Sequence, residues 1–494
     1  MTAFARPANA ASMLDLRPVG YVIGLLVAIL GLTMSLPMLV DIAEGNGHWA
    51  AFLEAGLLCV MIGGGVSISC SSGLRPGLTI QQSFLLTTGV WVALPAFGSL
   101  PLIFGATDLS VTDAVFEAMS GFTTTGSTVI TGLEHLPKGI LLWRGILQWL
   151  GGIGIIVFAM VFLPELRVGG MQLFRSEAFD TMGKILPRAT EIASRISVIY
   201  VGMTLACMFC YLVLGMSVFD ATVHALTTIS TGGFANYDAS FAVFSGPAEY
   251  VASLFMVLAA LPFVRYVQML NGNYTSMWKD PQARGFLWTI LVLVLVAWAV
   301  LTTIFPHHWE KSLREALFNI TSIISGTGYA SVDYMQWGPF LIVLFFYIGL
   351  IGGCAGSTAC SVKIFRYQLL FAVMKVQVQR IRSPHGVFVA RYGGRPVDAE
   401  VLNSVVAFFV FFVVTLGVLS LALALTGLDF TTSVSGAATA VANIGPGLGD
   451  IIGPAGNFST LNDSAKWILV VAMLVGRLEL LAVYVIFTLR FWRG

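Results

Sequence analysis

Long apolar runs, separated by short polar stretches, dominate the chain from residue 19 to residue 491. Many of them reach the length of about 18 residues that a helix needs to cross ~30 Å of hydrocarbon. A chain that faces lipid must satisfy its backbone hydrogen bonds internally, and helices do so. The pattern therefore predicts an all-α polytopic membrane protein that begins with two spans, at 19–40 and 49–68.

Four shorter segments lie between the later spans and are too short to cross a membrane. Residues 112–125, for example, correspond to about 14 residues, or about 21 Å of helix. A half-helix that enters and leaves on one side of the membrane fits this length. Each segment ends in a loop rich in small residues, and these loops are 123–127, 229–233, 325–329 and 442–446.

The four loops predict an internal repeat. We take Gly126, Gly232, Gly328 and Gly445 as equivalent, which gives separations of 106, 96 and 117 residues. Each unit then consists of a span, a pore loop and a second span, and four units surround a pseudo-fourfold pore. The predicted divisions are 1–75 for two extra N-terminal helices, 76–185, 186–280 and 281–395 for repeats 1 to 3, with a broken last helix in repeat 3, and 396–494 for repeat 4.

Acidic residues lie near the start of three half-helices. Asp113 and Glu315 stand 13 residues before their glycines, whereas Asp220 stands one residue closer to Gly232. An acid is favourable at a helix N-terminus, and the opposite helix end then presents partial negative charge to the membrane interior. That arrangement stabilises a dehydrated cation. Any single segment could instead be an outer loop with a capped helix, but four in register favour a pore.

Backbone carbonyls crowded around one axis can replace the water shell of a cation, and small residues permit the crowding. The loops therefore predict a cation selectivity filter. We expect no other metal site and no covalently bound cofactor. The predicted filter residues are Thr124, Thr125, Gly126, Ser230, Thr231, Gly232, Gly326, Thr327, Gly328, Asn443, Ile444 and Gly445. The acids expected to raise the local cation concentration are Asp113, Asp220, Glu315 and Asp333.

Composition and charge support insertion in a membrane and indicate an orientation. The chain of 494 residues is 57% hydrophobic and 10% charged, whereas soluble domains are about 25% charged. Its net charge of +1 gives no indication of a nucleic-acid partner. The positive-inside rule places both termini in the cytoplasm. It does so because 20 of the 26 Lys and Arg residues fall in the segments 1–18, 71–77, 165–195, 263–285, 361–396 and 489–494.

Three motifs resemble those of a known family. They are Ser-Thr-Gly-Gly-Phe at 230–234, Gly-Thr-Gly-Tyr at 326–329 and Asn-Ile-Gly-Pro-Gly at 443–447. Together with the fourfold plan they resemble the Trk/Ktr/HKT superfamily of potassium transporters, and the two extra N-terminal spans are most similar to its TrkH family. In that superfamily a glycine in every filter segment accompanies K+ permeation. Ile444 and Pro446 depart from the pattern of the other three loops.

The resemblance implies a function and partners. The expected function is K+ uptake, with Rb+ accepted, across the bacterial inner (cytoplasmic) membrane through a gated, channel-like pore. The expected assembly is a homodimer in the lipid bilayer, with one pore per protomer. A separate cytoplasmic ring that binds nucleotides, of the TrkA type, would dock on the basic segment 363–400. Positive-inside charge alone also explains the arginines of that segment.

Small residues interrupt the last apolar run of repeat 3. Each glycine weakens a helix by about 1 kcal/mol, and irregular backbone at membrane depth must be buried in protein or face water. We predict a flexible gate here, as in the family, and close packing of small residues between helices is the alternative. The predicted gate residues of this stretch are Gly352, Gly353, Gly356 and Ser357.

Charged residues inside apolar runs are costly and indicate function. Arg477 lies in the run 467–491, which we predict as one helix, and the resemblance implies that it contacts the gate. An ion pair without a role in permeation is the alternative. Glu479 would lie on another face of that helix. Lys363 is expected at a cytoplasmic helix end, and Arg144 is expected to snorkel without a further role.

Two other classes of function compete with this prediction. A membrane enzyme would require clustered His, Asp, Glu or Ser, but the six His form no such motif and the six Cys lie in or beside apolar runs. We therefore predict no enzymatic activity. A symporter that couples K+ to H+ or Na+ is the second alternative. It would require a buried acid at mid-membrane, for which Glu54 and Glu479 are the candidates.

Overall fold

The computed structural model describes residues 14–73, 78–105, 107–161, 170–171, 189–306 and 308–493. Helices make up nearly all the regular structure of these residues, and their one sheet pairs Arg391–Tyr392 with Arg395–Pro396. The all-α fold class is confirmed. The first 13 residues, most of the segment 165–195 and the predicted boundaries at 75 and 185 lie outside the described residues.

Seven helices of the described residues are long and apolar enough to cross a membrane, and two bent pairs of helices would do so as broken spans. The seven are Arg17–Ala43, Trp49–Gly73, Ile80–Phe104, Lys138–Ala159, Ala193–Val213, Pro281–Ile304 and Ala399–Leu425. A shorter apolar helix, Pro339–Gly349, lies where the second span of repeat 3 is predicted. The polytopic character predicted from hydropathy is thereby confirmed.

The individual helices are shorter than these spans where a turn or a bend divides them. Within and around the spans they are Arg17–Thr33, Ser35–Ala43, Trp49–Cys70, Ile80–Gly98, Leu100–Phe104, Lys138–Val161, Ala189–Val213, Ser276–Lys279, Pro281–Ile304, Ile364–Arg382, Ala399–Leu425, Gly449–Ile452, Leu481–Tyr484 and Leu489–Arg493. The first two spans pack against each other, and the second half of the first also packs on Lys138–Val161.

Four half-length helices end in buried backbone, as the lengths of their segments predict. They are Val111–Phe122, Val218–Ile229, Trp309–Ser325 and Phe430–Ala442, and we call them pore helices 1 to 4. A side-chain oxygen at the N-cap can satisfy an unpaired N–H of the first turn. Ser110, Ser217 and Asp429 each do so for the residue three positions on. Pore helices 1, 2 and 4 therefore begin with the same capping hydrogen bond.

The second span of repeat 2 is broken, although the apolar run 249–269 predicts one helix. Helices Pro247–Ala259 and Phe263–Leu270 meet at an angle of 87°. Pro262 has no N–H to donate, and it disfavours helical backbone in the residue before it. The break leaves carbonyl groups of the last helical turn available to another part of the chain.

The second span of repeat 4 is also broken, so the prediction of one helix over 467–491 is wrong. Its two parts, Asp463–Arg477 and Leu481–Phe487, meet at 104°. Between them Glu479 and Leu480 have φ angles of +60° and +48°, in the left-handed region. Neither break is visible in the hydropathy of the run, because both parts of each span are apolar.

Candidate functional site

The four predicted filter segments share one backbone conformation. We call residues 123–128, 230–235, 325–330 and 442–447 loops 1 to 4. The second residue of each loop is left-handed, and these residues are Thr124, Thr231, Gly326 and Asn443. The third residue of each loop donates its N–H to the carbonyl five positions earlier, at 2.8 to 3.1 Å. These hydrogen bonds define which residues of the four loops are equivalent.

This register corrects one assignment made from the sequence. The fourth residue of each loop is also left-handed, and the four are Gly126, Gly233, Gly328 and Gly445. Gly233, not Gly232, is therefore the counterpart of the other glycines, and Gly232 matches Thr125. With this correction Asp220 stands 13 residues before its glycine, as the acids of repeats 1 and 3 do.

The four loops meet in a closed ring. The glycine at the fourth position of each loop lies against the carbonyl oxygen of the third residue of the next loop. The pairs are Gly126 with Gly232, Gly233 with Thr327, Gly328 with Ile444 and Gly445 with Thr125. Loop 4 therefore closes the ring on loop 1, and four equivalent carbonyls surround one axis.

Glycine is required at the fourth position for two reasons. The φ angles there, between +78° and +110°, are ones that residues with a side chain rarely adopt. An added Cβ would also meet the backbone carbonyl of the neighbouring loop, which cannot move aside as a flexible side chain can. All four glycines line a single cavity of about 200 Å³ next to the ring.

Side-chain hydroxyl groups stabilise the ring from within. Thr123 and Thr125 of loop 1 share a hydrogen bond of 2.7 Å, and Ser325 and Thr327 of loop 3 share an equivalent one of 2.7 Å. Loops 2 and 4 have no such pair, because their third residues, Gly232 and Ile444, carry no hydroxyl group. In loop 4, Asn443 instead donates its amide to the hydroxyl of Thr125 at 2.9 Å. The departure of loop 4 from the common pattern thus couples it to loop 1.

A buried ion pair, to which the sequence assigned no role, supports loops 1 and 2. Arg144 is 1% exposed, so the expectation that it snorkels is wrong. Its Nε donates to Glu117 at 2.8 Å, and its Nη1 donates to the Ala235 carbonyl at 2.9 Å. Glu117 also accepts the N–H of Val129 at 2.9 Å. The signal for Glu117 in the sequence was a second acid in the half-helix, well inside it rather than in the first turn where Asp113 lies.

Irregular backbone from residue 350 to residue 363, which we call the intramembrane loop, contains the predicted gate. Its polar groups bind the break in the second span of repeat 2. The N–H of Cys354 donates to the Ala260 carbonyl at 3.0 Å, and the hydroxyl of Thr358 donates to the Ala259 carbonyl at 3.0 Å. The broken turn therefore supplies acceptors for a loop that could not satisfy its own hydrogen bonds in a membrane.

The intramembrane loop lies against the predicted filter segments. The Sγ of Cys360 is 3.9 Å from the hydroxyl of Thr124 in loop 1. The backbone of Cys360 also lies beside Gly326 of loop 3. The predicted gate residues of this loop are all buried, and they are Gly352, Gly353, Gly356 and Ser357. The structure thus places the predicted gate and the predicted filter in direct contact.

Arg477 joins the last span to the intramembrane loop. The residue is 2% exposed and ends its helix at the break described above. Its guanidinium donates to the carbonyl of Thr358 at 3.4 Å and to the carbonyl of Gly151 at 3.3 Å. It also contacts the sulfur of Cys360. Arg477 therefore binds the intramembrane loop and the second span of repeat 1 at once.

A second charged cluster lies at the end of the intramembrane loop. Glu479 accepts from Lys363 at 2.5 Å and also pairs with Arg366. All three side chains are buried. Lys363 lies at a helix end, as expected, because it precedes the first residue of Ile364–Arg382, but its charge is ion-paired rather than exposed. Glu479 lies in the break after Arg477, where it faces these two cations. Arg366 was not among the predicted residues.

The acids expected to attract cations make structural contacts. Asp113 pairs with Lys466 at 2.6 Å, which reduces its expected effect on a passing cation. Asp220 accepts from Asn236 at 2.9 Å, and Asp333 caps a short turn. Within the described residues no three His, Cys, Asp or Glu side chains form a group that could hold a metal ion. The carbonyls of the ring described above are the candidate cation ligands.

Comparison with known proteins decides the family. The family model TrkH, described as a cation transport protein, matches residues 48–492. The chain belongs to the TrkH family. The resemblance inferred from the loops is thereby confirmed, and the TrkH family is one of membrane transport proteins rather than enzymes.

Relatives in the TrkH family match the chain over nearly its full length. The Trk system potassium uptake protein TrkI of Halomonas elongata is 46% identical over 480 residues, which cover 96% of this chain and 97% of TrkI. TrkH of Escherichia coli K12 is 35% identical over 486 residues, 97% of this chain and 99% of that protein. The crystal structure of the potassium transporter TrkH from Vibrio parahaemolyticus is 33% identical. It matches with a TM-score of 0.89 and covers 97% of this chain and 100% of that one.

Proposed function

We propose that the chain takes up K+ across the inner membrane of a bacterium through a K+-selective, gated, channel-like pore. The observation that carries the proposal is the ring in which the glycine of each loop lies against a carbonyl of the next loop. Carbonyls in such a ring can replace the water shell of K+. The names of the similar proteins, which are potassium uptake proteins and a potassium transporter, support this choice of ion.

The proposed ion path begins at the cavity beside the ring and passes through the filter. K+, or Rb+ in its place, is the substrate, and no covalently bound cofactor takes part. The proposed ligands are backbone carbonyls of residues 124–126, 230–232, 326–328 and 443–445, with Gly233 added by the corrected register. When the cytoplasm is negative, each K+ gains about 2.3 kcal/mol per 100 mV on entry. The membrane potential alone can therefore drive uptake wherever it exceeds the opposing K+ gradient.

The intramembrane loop is the proposed gate. It lies directly against the filter, since Cys360 approaches Thr124 to 3.9 Å. Arg477 holds the loop in this place through the carbonyl of Thr358. The loop's bonds to Ala259 and Ala260 all reach one broken turn, so they can be released without loss of a helix. Withdrawal of the loop would open a path from the filter to the cytoplasm.

We propose conduction without coupling, rather than symport with H+ or Na+. A proton carrier would be a buried acid that can exchange its proton near mid-membrane. Of the two candidates, Glu54 is exposed on the bundle surface, and Glu479 is ion-paired with Lys363 and Arg366. The buried Glu117 is also ion-paired. The pairing of Glu117 and Glu479 supports a pore that needs no proton.

The proposed partners are a second copy of the chain, with one pore in each protomer, and a cytoplasmic nucleotide-binding ring of the TrkA type. The helix Ile364–Arg382 follows directly after the intramembrane loop and exposes Phe371, Val378 and Ile381. Exposed apolar side chains of this kind mark interaction surfaces. A ring bound to this helix could move the loop. We place this helix and both chain termini in the cytoplasm.

Ion flux into liposomes tests the proposal. The purified full chain is reconstituted, an inside-negative potential is imposed, and uptake of tracer Rb+ is measured in competition with K+ or Na+. We expect K+ to compete much better than Na+, and uptake to continue without a gradient of H+ or Na+. Equal competition by the two ions would contradict the filter. A requirement for a second gradient would contradict uncoupled conduction.

A further inference from the structure

One of the four carbonyls in the filter ring differs from the others in its hydrogen bonding. Among the residues that the structure describes, the carbonyls of Thr125, Thr327 and Ile444 accept no protein hydrogen bond. The carbonyl of Gly232 accepts one from the Nε2 of Gln148 at 2.6 Å. The ring therefore has three free carbonyls and one that is held from outside.

Gln148 holds loop 2 in a defined orientation. It is completely buried, and it lies on Lys138–Val161, the second span of repeat 1. Its Oε1 accepts the N–H of Phe234 at 3.0 Å. A backbone N–H can only donate, so the oxygen of the amide must face Phe234 and its NH2 group must face Gly232. The amide thus bridges the residues on either side of Gly233.

The same contact explains why residue 232 is glycine. A Cβ on Gly232 would overlap the amide group of Gln148. The backbone conformation does not require glycine here, because Gly232 is outside the left-handed region that Gly233 occupies. The equivalent positions of the other loops carry side chains, in Thr125, Thr327 and Ile444. The first glycine of the Gly-Gly pair in loop 2 therefore makes room for Gln148.

We propose that Gln148 is a positioning residue that sets ion selectivity by binding the carbonyl of Gly232. This inference rests on the proposed pore function. Selectivity between K+ and Na+ depends on the number and field strength of the coordinating carbonyls, or on the size of the site that they form. A carbonyl that accepts a hydrogen bond presents a weaker field to an ion, and a weaker field favours the larger ion. The bond from Gln148 thus favours K+ over Na+.

Two substitutions separate the contributions of the Gln148 amide. Gln148→Met keeps the length of the side chain and removes both hydrogen bonds. Gln148→Glu keeps an acceptor for Phe234 but replaces the donor to Gly232 with a repelling oxygen. Rb+ uptake by each full-length variant is measured in liposomes with K+ or Na+ as competitor. We expect Na+ to gain about threefold to tenfold relative to K+ in Gln148→Met, which is the effect of about one hydrogen bond. The gain should be larger in Gln148→Glu.

Gln82 offers a matched control with the same bonding pattern away from the four loops. It is buried, donates its Nε2 to the Asp15 carbonyl at 2.7 Å, and accepts the N–H of Thr79 at 2.9 Å. Gln82→Met and Gln82→Glu should leave the ratio of K+ to Na+ competition unchanged.

Failure of the Gln148 proposal and failure of the proposed function give different results in these measurements. An unchanged ratio in both Gln148 variants would overturn the proposal. Loss of folded protein in both of them, while both Gln82 variants fold, would also overturn it, because Gln148 would then act in folding. A wild-type chain that does not prefer K+ would instead contradict the proposed function.

Discussion

The guanidinium of Arg144 and the carboxylate of Glu117 meet at 2.8 Å in a site closed to solvent. Their side chains are 2% and 0% exposed. The pair reaches loop 1 through the hydroxyl of Thr128 and loop 2 through the carbonyl of Ala235. It therefore sets the position of loops 1 and 2 relative to each other, through two residues that lie 27 positions apart in the sequence.

Removal of one partner of this pair should strongly destabilise the protein. Glu117→Gln leaves Arg144 buried without a counter-charge, and we expect the free energy of unfolding to fall by about 3–5 kcal/mol. Lys138 and Glu44 form a control pair at 2.7 Å whose side chains are each 44% exposed. Lys138→Met should cost about 1 kcal/mol or less. Thermal unfolding of the purified variants measures both effects, and equal losses would contradict the structural role of the buried pair.

Gly328→Ala should abolish ion flux although it adds a single methyl group. Gly328 has a φ of +80°, and the new Cβ would meet the carbonyl of Ile444 in the ring. Gly427→Ala is the matched control, because Gly427 has a φ of +95° but open space around it. We expect Gly427→Ala to lower the free energy of unfolding by about 1–2 kcal/mol, because alanine is strained in left-handed backbone, and to leave ion flux unchanged. Rb+ uptake per folded protein distinguishes the two, and normal uptake by Gly328→Ala would show that ions take another path.

Arg477→Met should raise ion flux in the absence of any partner protein. The substitution removes the donor to the Thr358 carbonyl and the contact with Cys360, so the intramembrane loop loses its restraint against the filter. Lys375→Met on the exposed side of the following helix is the control and should leave flux unchanged. Rb+ uptake is compared at equal amounts of folded protein. Uptake at or below that of the wild type would refute a restraining role for Arg477.

In the second charged cluster, Glu479→Gln should destabilise the protein more than Lys363→Met does. Glu479→Gln leaves two buried cations, Lys363 and Arg366, without an acid, and we expect a loss of about 3–5 kcal/mol in the free energy of unfolding. Lys363→Met leaves the pair of Glu479 with Arg366 intact. Its expected cost is about 1.5–3 kcal/mol, as for one charged hydrogen bond. Thermal unfolding measures the order, and the reverse order would show that Arg366 does not hold Glu479.

Local composition was enough to predict the bundle of spans and the four half-helices. Transfer of a segment into lipid depends on its own length and hydropathy, so apolar runs reveal helices without knowledge of their neighbours. The starts of pore helices 1 and 2 were equally accessible, because Asp113 and Asp220 marked them and do lie in the first turns. The motifs of the predicted filter also led to the TrkH family, since a repeated motif can be recognised in the sequence alone.

The register of loop 2 could not be predicted in this way. Gly232 and Gly233 are adjacent and both are compatible with a tight loop, so a local pattern cannot distinguish them. What distinguishes them is the ring, in which Gly233 lies against Thr327 while Gly232 lies against Gln148. Both contacts join residues that are far apart along the chain.

The helix breaks and the buried charges depend on the same kind of contact. Arg144 lies 27 residues from Glu117, and Lys363 lies 116 residues from Glu479. The sequence of an apolar run that contains a charged residue does not show whether that side chain reaches water or pairs with a residue far along the chain. Hydropathy measures the transfer of each residue into lipid, whereas a break or a buried charge is stable only because folding brings a specific hydrogen-bonding group to it.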